Sequence, residues 1–479
     1  MRRRNRVLMR KPQNLLRGGD LSFKTATELS RMLRARKISS VELTQIFLDR
    51  LETLGPQYNA LAELTGGLAM EQARRADRLL RGSRPAAPLR GIPYGAKDLL
   101  ATNGVPTRWG SPAHRDQVLQ YDATVVRKLE DAGAVLTGKL AMVELAGGGG
   151  YEYASASLHG PGLNPWNVGH WSGGSSSGSG SAVAAGLVPY ALGSETWGSI
   201  VTPSSYCGIT GLRPTWGLVS RHGAMELSWS MDKIGPMARS VEDCGLVLQA
   251  IAGADPNDLS TSKPGFRFST RISRRNFRLG ILPADFSDAP EIEKAFDDAV
   301  RVLRKAGMRV SRADLFEHPF DETARTILNG EMAAAHAEFI KSERLNELVD
   351  TGQKGGLRKA LELPASEYVR AQQRRLQFRN DVLSLFERFD ALVSPSLMTE
   401  AVTLDTNLQT LFRRRGGYSV LGALCGVPAL SMPMGFGRQG LPLGVSITGN
   451  LFDESTLLQI GMIFQRETDW HERRPPAVT

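Results

Sequence analysis

Apolar residues recur at helical spacing through the first part of the chain. Ser39-x-x-Glu42 has the spacing of a helix capping box, and an apolar helical pattern at 43–54 follows it before a Gly-Pro pair. Because glycine and proline interrupt helices, the pattern predicts a helix that ends at this pair. A shorter pattern at 29–33 and a longer one at 69–80 predict two further helices.

Runs of apolar and β-branched residues predict strands between and after these helices. The run at 89–96 leads directly into Lys97-Asp98, and an amphipathic pattern at 122–132 precedes a second run at 134–137. Later strand runs lie at 277–282, 308–311, 392–393, 429–434 and 445–448, and a helical pattern at 290–305 separates the first two. We find neither a repeat of fixed period nor a dividing linker. The alternation predicts an α/β fold in which helices cover a sheet.

The segment between Gly138 and Gly223 is unusually rich in glycine. It holds 19 of the 50 glycines, and residues 172–181 are only glycine and serine. Such a tract is often a flexible linker. Here Trp171 precedes it and four apolar residues at 182–185 follow it, which favours a packed segment. Packed glycines allow close backbone approach, so N–H groups and hydroxyls can converge on one point.

Composition narrows the class of protein. The chain has 479 residues, 41% of them hydrophobic, and a formal net charge of +10. Six positive charges lie within the first eleven residues, so the rest is only mildly basic and we expect no nucleic-acid partner. We expect residues 1–20 to be a disordered basic tail and residues 21–479 to form a single domain. No apolar run suits a bilayer span or a secretory signal, so we expect a cytoplasmic protein without a membrane partner.

The cysteines and histidines do not predict a metal site. Three cysteines at 207, 244 and 425 lack Cys-x-x-Cys spacing, and none of the seven histidines has metal-ligand spacing on a helix. We therefore expect no metal ion.

Three motifs occur in a fixed order along the chain. They are Gly-Ile-Pro-Tyr-Gly-Ala-Lys-Asp at 91–98, Gly-Gly-Ser-Ser-Ser-Gly at 173–178 and Gly-Ser-Glu-Thr-Trp-Gly-Ser-Ile at 193–200. Supporting matches lie at 208–215, 235–240 and 426–429. In these motifs the chain resembles the amidase signature family of serine hydrolases. The resemblance implies the amidase signature fold, a mixed β-sheet core covered by helices on both faces.

The resemblance also implies roles for individual residues. It makes Lys97 the general base, Ser199 the nucleophile, and Ser175, after a cis peptide bond, the proton bridge between them. The oxyanion hole would consist of the backbone N–H groups of Thr196, Trp197, Gly198 and Ser199. We expect Gly173, Gly174, Tyr151 and Trp197 to contact substrate. Tyr153, Ile327 and Phe412 are weaker candidates for the pocket wall.

A lysine base must lose its charge to act. A free lysine has a pKa near 10.4, so only roughly one in 2500 is neutral at pH 7. Burial disfavours the ammonium form, and apolar neighbours at 92, 99 and 100 predict a pKa of ~7–8 for Lys97. A contact with Asp98 would keep the lysine charged. We expect the alternation of side chains along a strand to separate the two.

The third motif departs from the common family form Gly-Thr-Asp-Thr-Gly-Gly-Ser-Ile-Arg. Glu195 replaces the aspartate, Trp197 replaces the first of the paired glycines, and Val201 replaces the arginine. Trp197 can still donate its backbone N–H. Its indole either lines the pocket, which would favour apolar or aromatic substrates, or packs in the core.

A competing motif points to another serine. Gly174-x-Ser176-x-Gly178 has the form of the α/β-hydrolase nucleophile elbow, which would make Ser176 the nucleophile. That motif needs a preceding apolar strand, and residues 169–173 do not resemble one.

We therefore expect a free-standing serine amidohydrolase, a monomer or homodimer, that cleaves small-molecule amides and needs no metal or other cofactor. Anilides, aryl amides, esters and carbamates (urethanes) are the expected substrate classes. One alternative within the family is the glutamine-hydrolysing A subunit of a tRNA-dependent amidotransferase, which would need partner chains. Another is a catalytically idle binding protein of this fold, which the presence of Lys97, Ser175 and Ser199 argues against.

Overall fold

The structure is a computed structural model that describes residues 21–82, 87–261, 265–272, 276–415 and 417–476. The predicted basic tail at 1–20 lies outside the described residues. Across the described ranges, no helix is both long enough and apolar enough to span a bilayer.

Helices account for much of the described chain. In the first half they are α1 (Ala26–Arg34), α2 (Ser40–Leu54), α3 (Gly66–Leu80), α4 (Thr124–Asp131), α5 (Ser177–Ala184), α6 (Val201–Cys207) and α7 (Val241–Ile251). In the second half they are α8 (Pro290–Lys305), α9 (Phe320–Ala335), α10 (Ala337–Lys341), α11 (Thr351–Ala360), α12 (Ala365–Arg388), α13 (Leu408–Arg415), α14 (Ser419–Cys425) and α15 (Glu454–Arg466). Helix α2 begins at the predicted capping box, in which the Ser39 side chain and Glu42 satisfy each other's backbone N–H groups.

An eleven-stranded mixed sheet forms the centre of the molecule, in the order β1-β3-β2-β6-β8-β7-β12-β13-β11-β9-β10. Its strands are β1 (Leu61–Leu64), β2 (Pro93–Lys97), β3 (Val135–Leu140), β6 (Tyr190–Glu195), β7 (Thr210–Arg213), β8 (Lys233–Ala238), β9 (Arg278–Ile281), β10 (Arg309–Arg312), β11 (Ala391–Pro395), β12 (Ala429–Phe436) and β13 (Pro442–Gly449). A separate hairpin pairs β4 (Leu163–Asn164) with β5 (Asn167–Trp171). Helices flank both faces of the sheet, as the sequence predicts.

Strand β2 lies between two parallel neighbours, β3 and β6. It begins at Pro93, four residues later than the sequence suggests, because Leu89 starts a turn in which Gly91 has a φ of +77°. A side chain at Gly95 would clash with Leu140 of β3, since an added Cβ would lie 2.4 Å from Leu140 Cδ1. The close approach of β2 and β3 therefore requires glycine at this position.

Other predicted elements agree with the structure to different degrees. Helix α8 has the predicted bounds, and the predicted late strands correspond to β9 to β13. The helices at 320–388 were not predicted, because their buried positions are few among many charged residues. Helix α5 was also missed, since it consists largely of glycine and serine, which form isolated helices poorly.

Candidate active site

Lys97 ends β2 and is completely buried. Its Nζ lies 2.7 Å from Ser175 Oγ, 2.9 Å from Ser194 Oγ and 3.4 Å from Ser194 O. These three oxygens are neutral groups, and no carboxylate of the described residues lies within ion-pair distance of Lys97. The amine is therefore held by hydrogen bonds alone.

Burial lowers the pKa of Lys97 to about 7, from an ordinary value of 10.5. The charges of Asp232 and Glu195 act in the opposite direction and only partly offset the loss of solvation. At neutral pH about half of the Lys97 side chains are then uncharged. An uncharged lysine can accept a proton.

Asp98 follows Lys97 directly but lies in a different environment. Its Oδ1 is 3.6 Å from Lys139 Nζ on β3, and its Oδ2 accepts a hydrogen bond from the backbone N–H of Arg108 at 3.0 Å. Lys139 also donates to Thr107 Oγ1 at 2.6 Å. The strand thus sends the two neighbouring charged groups to separate partners. The contact that would have kept Lys97 charged does not form.

The glycine- and serine-rich segment is packed. Gly174–Ser175 is a cis peptide bond, as the resemblance implied, and the Ser175 carbonyl accepts a hydrogen bond from Val143 N. A Cβ at Gly173 would lie 2.7 Å from Pro203 Cα in α6, and a Cβ at Gly178 would lie 2.4 Å from Ala60 O. These contacts leave no space for side chains, so the segment is no flexible linker.

Ser199 lies in the turn between β6 and α6. In the described part of the chain its hydroxyl makes no hydrogen bond, whether to Ser175 or to any other residue. Gly173 packs against α6, and Gly174 lines the same cavity as Ser199. The two segments that carry Ser175 and Ser199 therefore meet at one site.

Four consecutive backbone N–H groups before α6 are candidates for an oxyanion hole. Within the described ranges, those of Thr196, Trp197, Gly198 and Ser199 have no acceptor, whereas the next two, of Ile200 and Val201, donate to Glu195 Oε2. Gly198 has a φ of +87°, a conformation that favours glycine. The turn leaves its N–H groups available for a substrate oxygen.

Buried charges hold this turn in place. Glu195 Oε1 lies 2.7 Å from Arg213 Nη1, and both side chains are inaccessible to solvent. The Arg213 guanidinium holds the pKa of the Glu195 carboxyl below its usual range despite burial, which alone would raise it. Asp232 accepts a hydrogen bond from the Thr196 hydroxyl and two more from backbone N–H groups. The turn is thus anchored from β7 and from the loop before β8.

Ser199 opens onto a cavity of about 660 Å³. Its apolar lining includes Leu227, Leu328, Met398, Leu408 and Phe412. Its charged lining includes Asp285, Asp288, Asp321 and Arg325. A second cavity has a volume of about 620 Å³, and Ala146, Thr196 and Leu227 line both cavities.

Of the four residues expected to contact substrate, three line the cavity and one does not. Gly174, Tyr151 and Trp197 line the cavity, whereas Gly173 is packed behind it. Of the weaker candidates, Phe412 lines the wall. Two do not: Ile327 is fully buried in a core cluster, and Tyr153 is 40% exposed elsewhere.

Trp197 combines both roles considered for it. One part of the side chain packs against the core cluster that includes α9 and α12 residues, and another part lines the cavity. The Arg325 guanidinium lies 5.7 Å from the centre of its ring. This cation–π contact holds the indole beside the turn that carries Ser199.

Ser176 is less suited to act as a nucleophile. The strand β5 ends at Trp171, but its first three residues are exposed, so no apolar strand leads directly into the motif, as expected. In addition, Ser176 is buried and its Oγ is engaged with the backbone N–H and carbonyl of Ser194. It does not reach the cavity.

Two residues that touch the site were not singled out from the sequence. Ser194 supplies two of the three oxygens around Lys97, and Asp232 supports Thr196. Ser194 lies within the third motif, five residues before Ser199, so its position in that motif was a usable signal. Asp232 carries no motif that could have identified it.

The described residues contain no group of three or more histidine, cysteine or acidic side chains that could hold a metal ion.

Comparison with known proteins identifies relatives over most of the chain. The family model described as Amidase matches residues 42–458. The A subunit of glutamyl-tRNA(Gln) amidotransferase from Roseiflexus castenholzii is 36% identical, and the match covers 94% of this chain and 97% of that protein. Native peptide amidase from Stenotrophomonas maltophilia superposes with a TM-score of 0.85 at 31% identity, covering 95% and 98% of the two chains. A bacterial aryl acylamidase of the amidase signature family has the same fold, with a TM-score of 0.85 at 23% identity over 94% of this chain and 97% of that one.

Proposed function

The chain belongs to the amidase signature family of carbon–nitrogen hydrolases, and on that premise we propose that it cleaves small-molecule amides through an acyl-enzyme formed on Ser199. The observation that carries this proposal is the fully buried Lys97 amine, 2.7 Å from the Ser175 hydroxyl and without an ionic partner among the described residues.

The proposed reaction begins with proton transfer. As Ser199 Oγ attacks the carbonyl carbon, its proton passes to Ser175 Oγ, and the Ser175 proton passes to the neutral Nζ of Lys97. The C–N bond then breaks, and the proton returns through Ser175 to the leaving nitrogen. Water releases the acid by the same sequence, with its proton reaching the Ser199 oxygen at the end. Lys97 is neutral again after each half-reaction, so the two steps balance.

The N–H groups of residues 196–199 would stabilise the negative oxygen of each tetrahedral intermediate. A single donor of this kind is typically worth ~3–4 kcal/mol in the transition state. Among the described residues these N–H groups have no protein acceptor, so no hydrogen bond within that part of the protein has to break when a substrate oxygen binds.

The finer substrate class follows from the wall beside Ser199. We propose aryl amides and anilides as preferred substrates, because Trp197 presents an aromatic surface to the cavity and Arg325 fixes its orientation. Since the lysine protonates the leaving group as it departs, esters and carbamates (urethanes) are further candidates.

Replacing Trp197 with alanine should lower kcat/KM more for an anilide than for an aliphatic amide, and replacing it with phenylalanine should preserve the wild-type preference for the anilide. Equal losses of kcat/KM on both substrates would contradict a preference for aryl substrates that depends on Trp197.

The second candidate function is that of an amidotransferase A subunit, which the 36% identity with the Roseiflexus castenholzii protein favours. The two candidates differ in what the isolated chain can do. A free-standing amidase hydrolyses a chromogenic anilide without glutamine, tRNA or partner chains. An A subunit requires its partners for full activity.

A fluorophosphonate probe tests the proposed nucleophile. The probe should label the wild-type protein, and peptide mapping should place the label on Ser199. Ser199→Ala should abolish labelling, whereas a label on Ser176 would support the elbow motif. A folded protein that neither takes the label nor hydrolyses any amide would be the idle binding protein.

A further inference from the structure

The three oxygens around Lys97 can serve both the neutral amine and its ammonium form. A neutral lysine has two N–H donors and one lone pair, whereas its ammonium form has three N–H donors. The Nζ of Lys97 has three oxygens within reach, and two of them belong to Ser194.

Only one assignment of these contacts lets Lys97 act as a base. The Ser194 carbonyl has no proton to give and can only accept. If the Ser194 hydroxyl also accepts, both N–H groups are used and the lone pair points to the Ser175 hydroxyl. In the ammonium form the same three oxygens accept three N–H groups. The proton can therefore move between Ser175 and Lys97 without rotation of the amine.

We propose that Ser194 is a positioning residue that directs the Lys97 lone pair at Ser175. The inference rests on the proposed function, because it assigns Ser194 a part in that reaction.

The surroundings of Ser194 hold it in this orientation. It lies near the end of β6, opposite Ile234 of β8, and Ser176 Oγ is hydrogen-bonded to both its N–H and its carbonyl. Its side chain also lines the second cavity. In the described structure its own hydroxyl has no acceptor, so the proton is free to point into that cavity while the oxygen accepts from Lys97.

The test compares three variants in hydrolysis of a 4-nitroanilide across pH. Ser194→Ala removes one acceptor and should lower kcat about 10- to 100-fold, a fraction of what a general base typically contributes, with little change in KM. Because the lost oxygen bonds more strongly to the ammonium than to the neutral amine, the acid limb of the pH profile should move to lower pH. Ser194→Thr keeps the hydroxyl, and residue 194 lines the second cavity. This variant should restore most of kcat and return the acid limb of the pH profile to its wild-type position.

Ser179→Ala is the matched control. Ser179 is also buried, and its Oγ donates to a β6 carbonyl, that of Leu192, but it does not touch Lys97. This variant should leave kcat and the pH limb unchanged. The proposal is overturned if Ser194→Ala keeps the wild-type kcat and limb, or if Ser194→Thr loses as much activity as Ser194→Ala.

The rate of fluorophosphonate labelling at Ser199, measured across the same pH range, gives a second readout that needs no amide substrate. Absence of labelling and hydrolysis in the wild type would reject the proposed function. Normal wild-type activity with an unaltered Ser194→Ala variant would reject only the role of Ser194.

Discussion

Replacing Lys97 with methionine should abolish hydrolysis and, at neutral pH, make the fold more stable. Methionine has a similar length and no charge, so it removes the base while it still fills the buried space. A buried amine that loses solvation costs stability, and an apolar side chain avoids that cost. Function and stability are therefore expected to change in opposite directions.

The size of the expected change in the free energy of unfolding follows from the pKa of Lys97, which burial lowers from 10.5 to about 7. At ~1.4 kcal/mol per pH unit, holding this amine in the fold at or below pH 7 costs about 5 kcal/mol. Methionine also leaves Ser175 and Ser194 without their partner, which offsets ~1–3 kcal/mol of the gain. The expected net stabilisation is ~2–4 kcal/mol at pH 7.

The stabilisation should depend on pH in a defined direction. Between pH 7 and 10.5 the unfolded chain keeps the lysine proton and the folded chain does not, so the wild type becomes more stable as pH rises. The advantage of Lys97→Met is thus greatest below pH 7 and disappears at about pH 8–10, where the remaining cost of the buried amine equals the ~1–3 kcal/mol lost at the two serines. Lys233 is also buried and has a pKa of about 7, but it is present in both proteins and cancels in the comparison.

Urea unfolding of both proteins at several pH values from 6 to 10 gives the difference directly. Lys139→Met is the control, since Lys139 is equally buried on the next strand but faces Asp98. Its removal leaves an unpaired buried carboxyl and should destabilise the protein. A Lys97→Met variant that is less stable than the wild type throughout, or a difference that does not change with pH, would refute the reasoning.

Three further predictions concern the rate and the packing of the site. The kcat/KM of the wild type should fall below about pH 7, because Lys97 then becomes protonated and cannot accept the Ser175 proton; a rate that stays level down to pH 5 would contradict this. Gly178→Ala should destabilise the protein by ~1–3 kcal/mol or prevent folding, as read by urea unfolding or soluble yield, since its Cβ would lie 2.4 Å from Ala60 O. Arg213→Met should cost ~3–5 kcal/mol, because it leaves the buried Glu195 carboxylate unpaired, and Arg213→Met/Glu195→Gln should recover part of that loss in the same unfolding assay.

Local patterns predicted the parts of the fold that depend on neighbouring residues. The capping box at Ser39 begins α2, and the periodic apolar pattern of α8 gives its bounds. The burial and lowered pKa of Lys97 also agree with expectation, because an apolar strand carries it into the core.

The rest depends on contacts between distant parts of the chain. The sequence does not reveal that β2 and β6 are neighbours, and this pairing is what brings Ser194 to Lys97. Likewise, Arg325 is 128 positions from Trp197, and only the packing of α9 beside the turn brings the guanidinium over the ring. The helix α5 forms within the glycine- and serine-rich tract because buried neighbours impose it, against the weak preference of its own residues.

The alternation at the end of β2 links strand register to chemistry. Lys97 faces three neutral oxygens while Asp98 faces Lys139. If β2 shifted by one residue against its neighbours, the two side chains would exchange places. Asp98 would then lie among the serines, and Lys97 would face Lys139. Such a protein would lack the neutral amine that contacts Ser175, because a carboxyl group would take its place. The tight fit of Gly95 against Leu140 therefore helps to fix the register that places the Lys97 amine beside Ser175, in addition to stabilising the sheet.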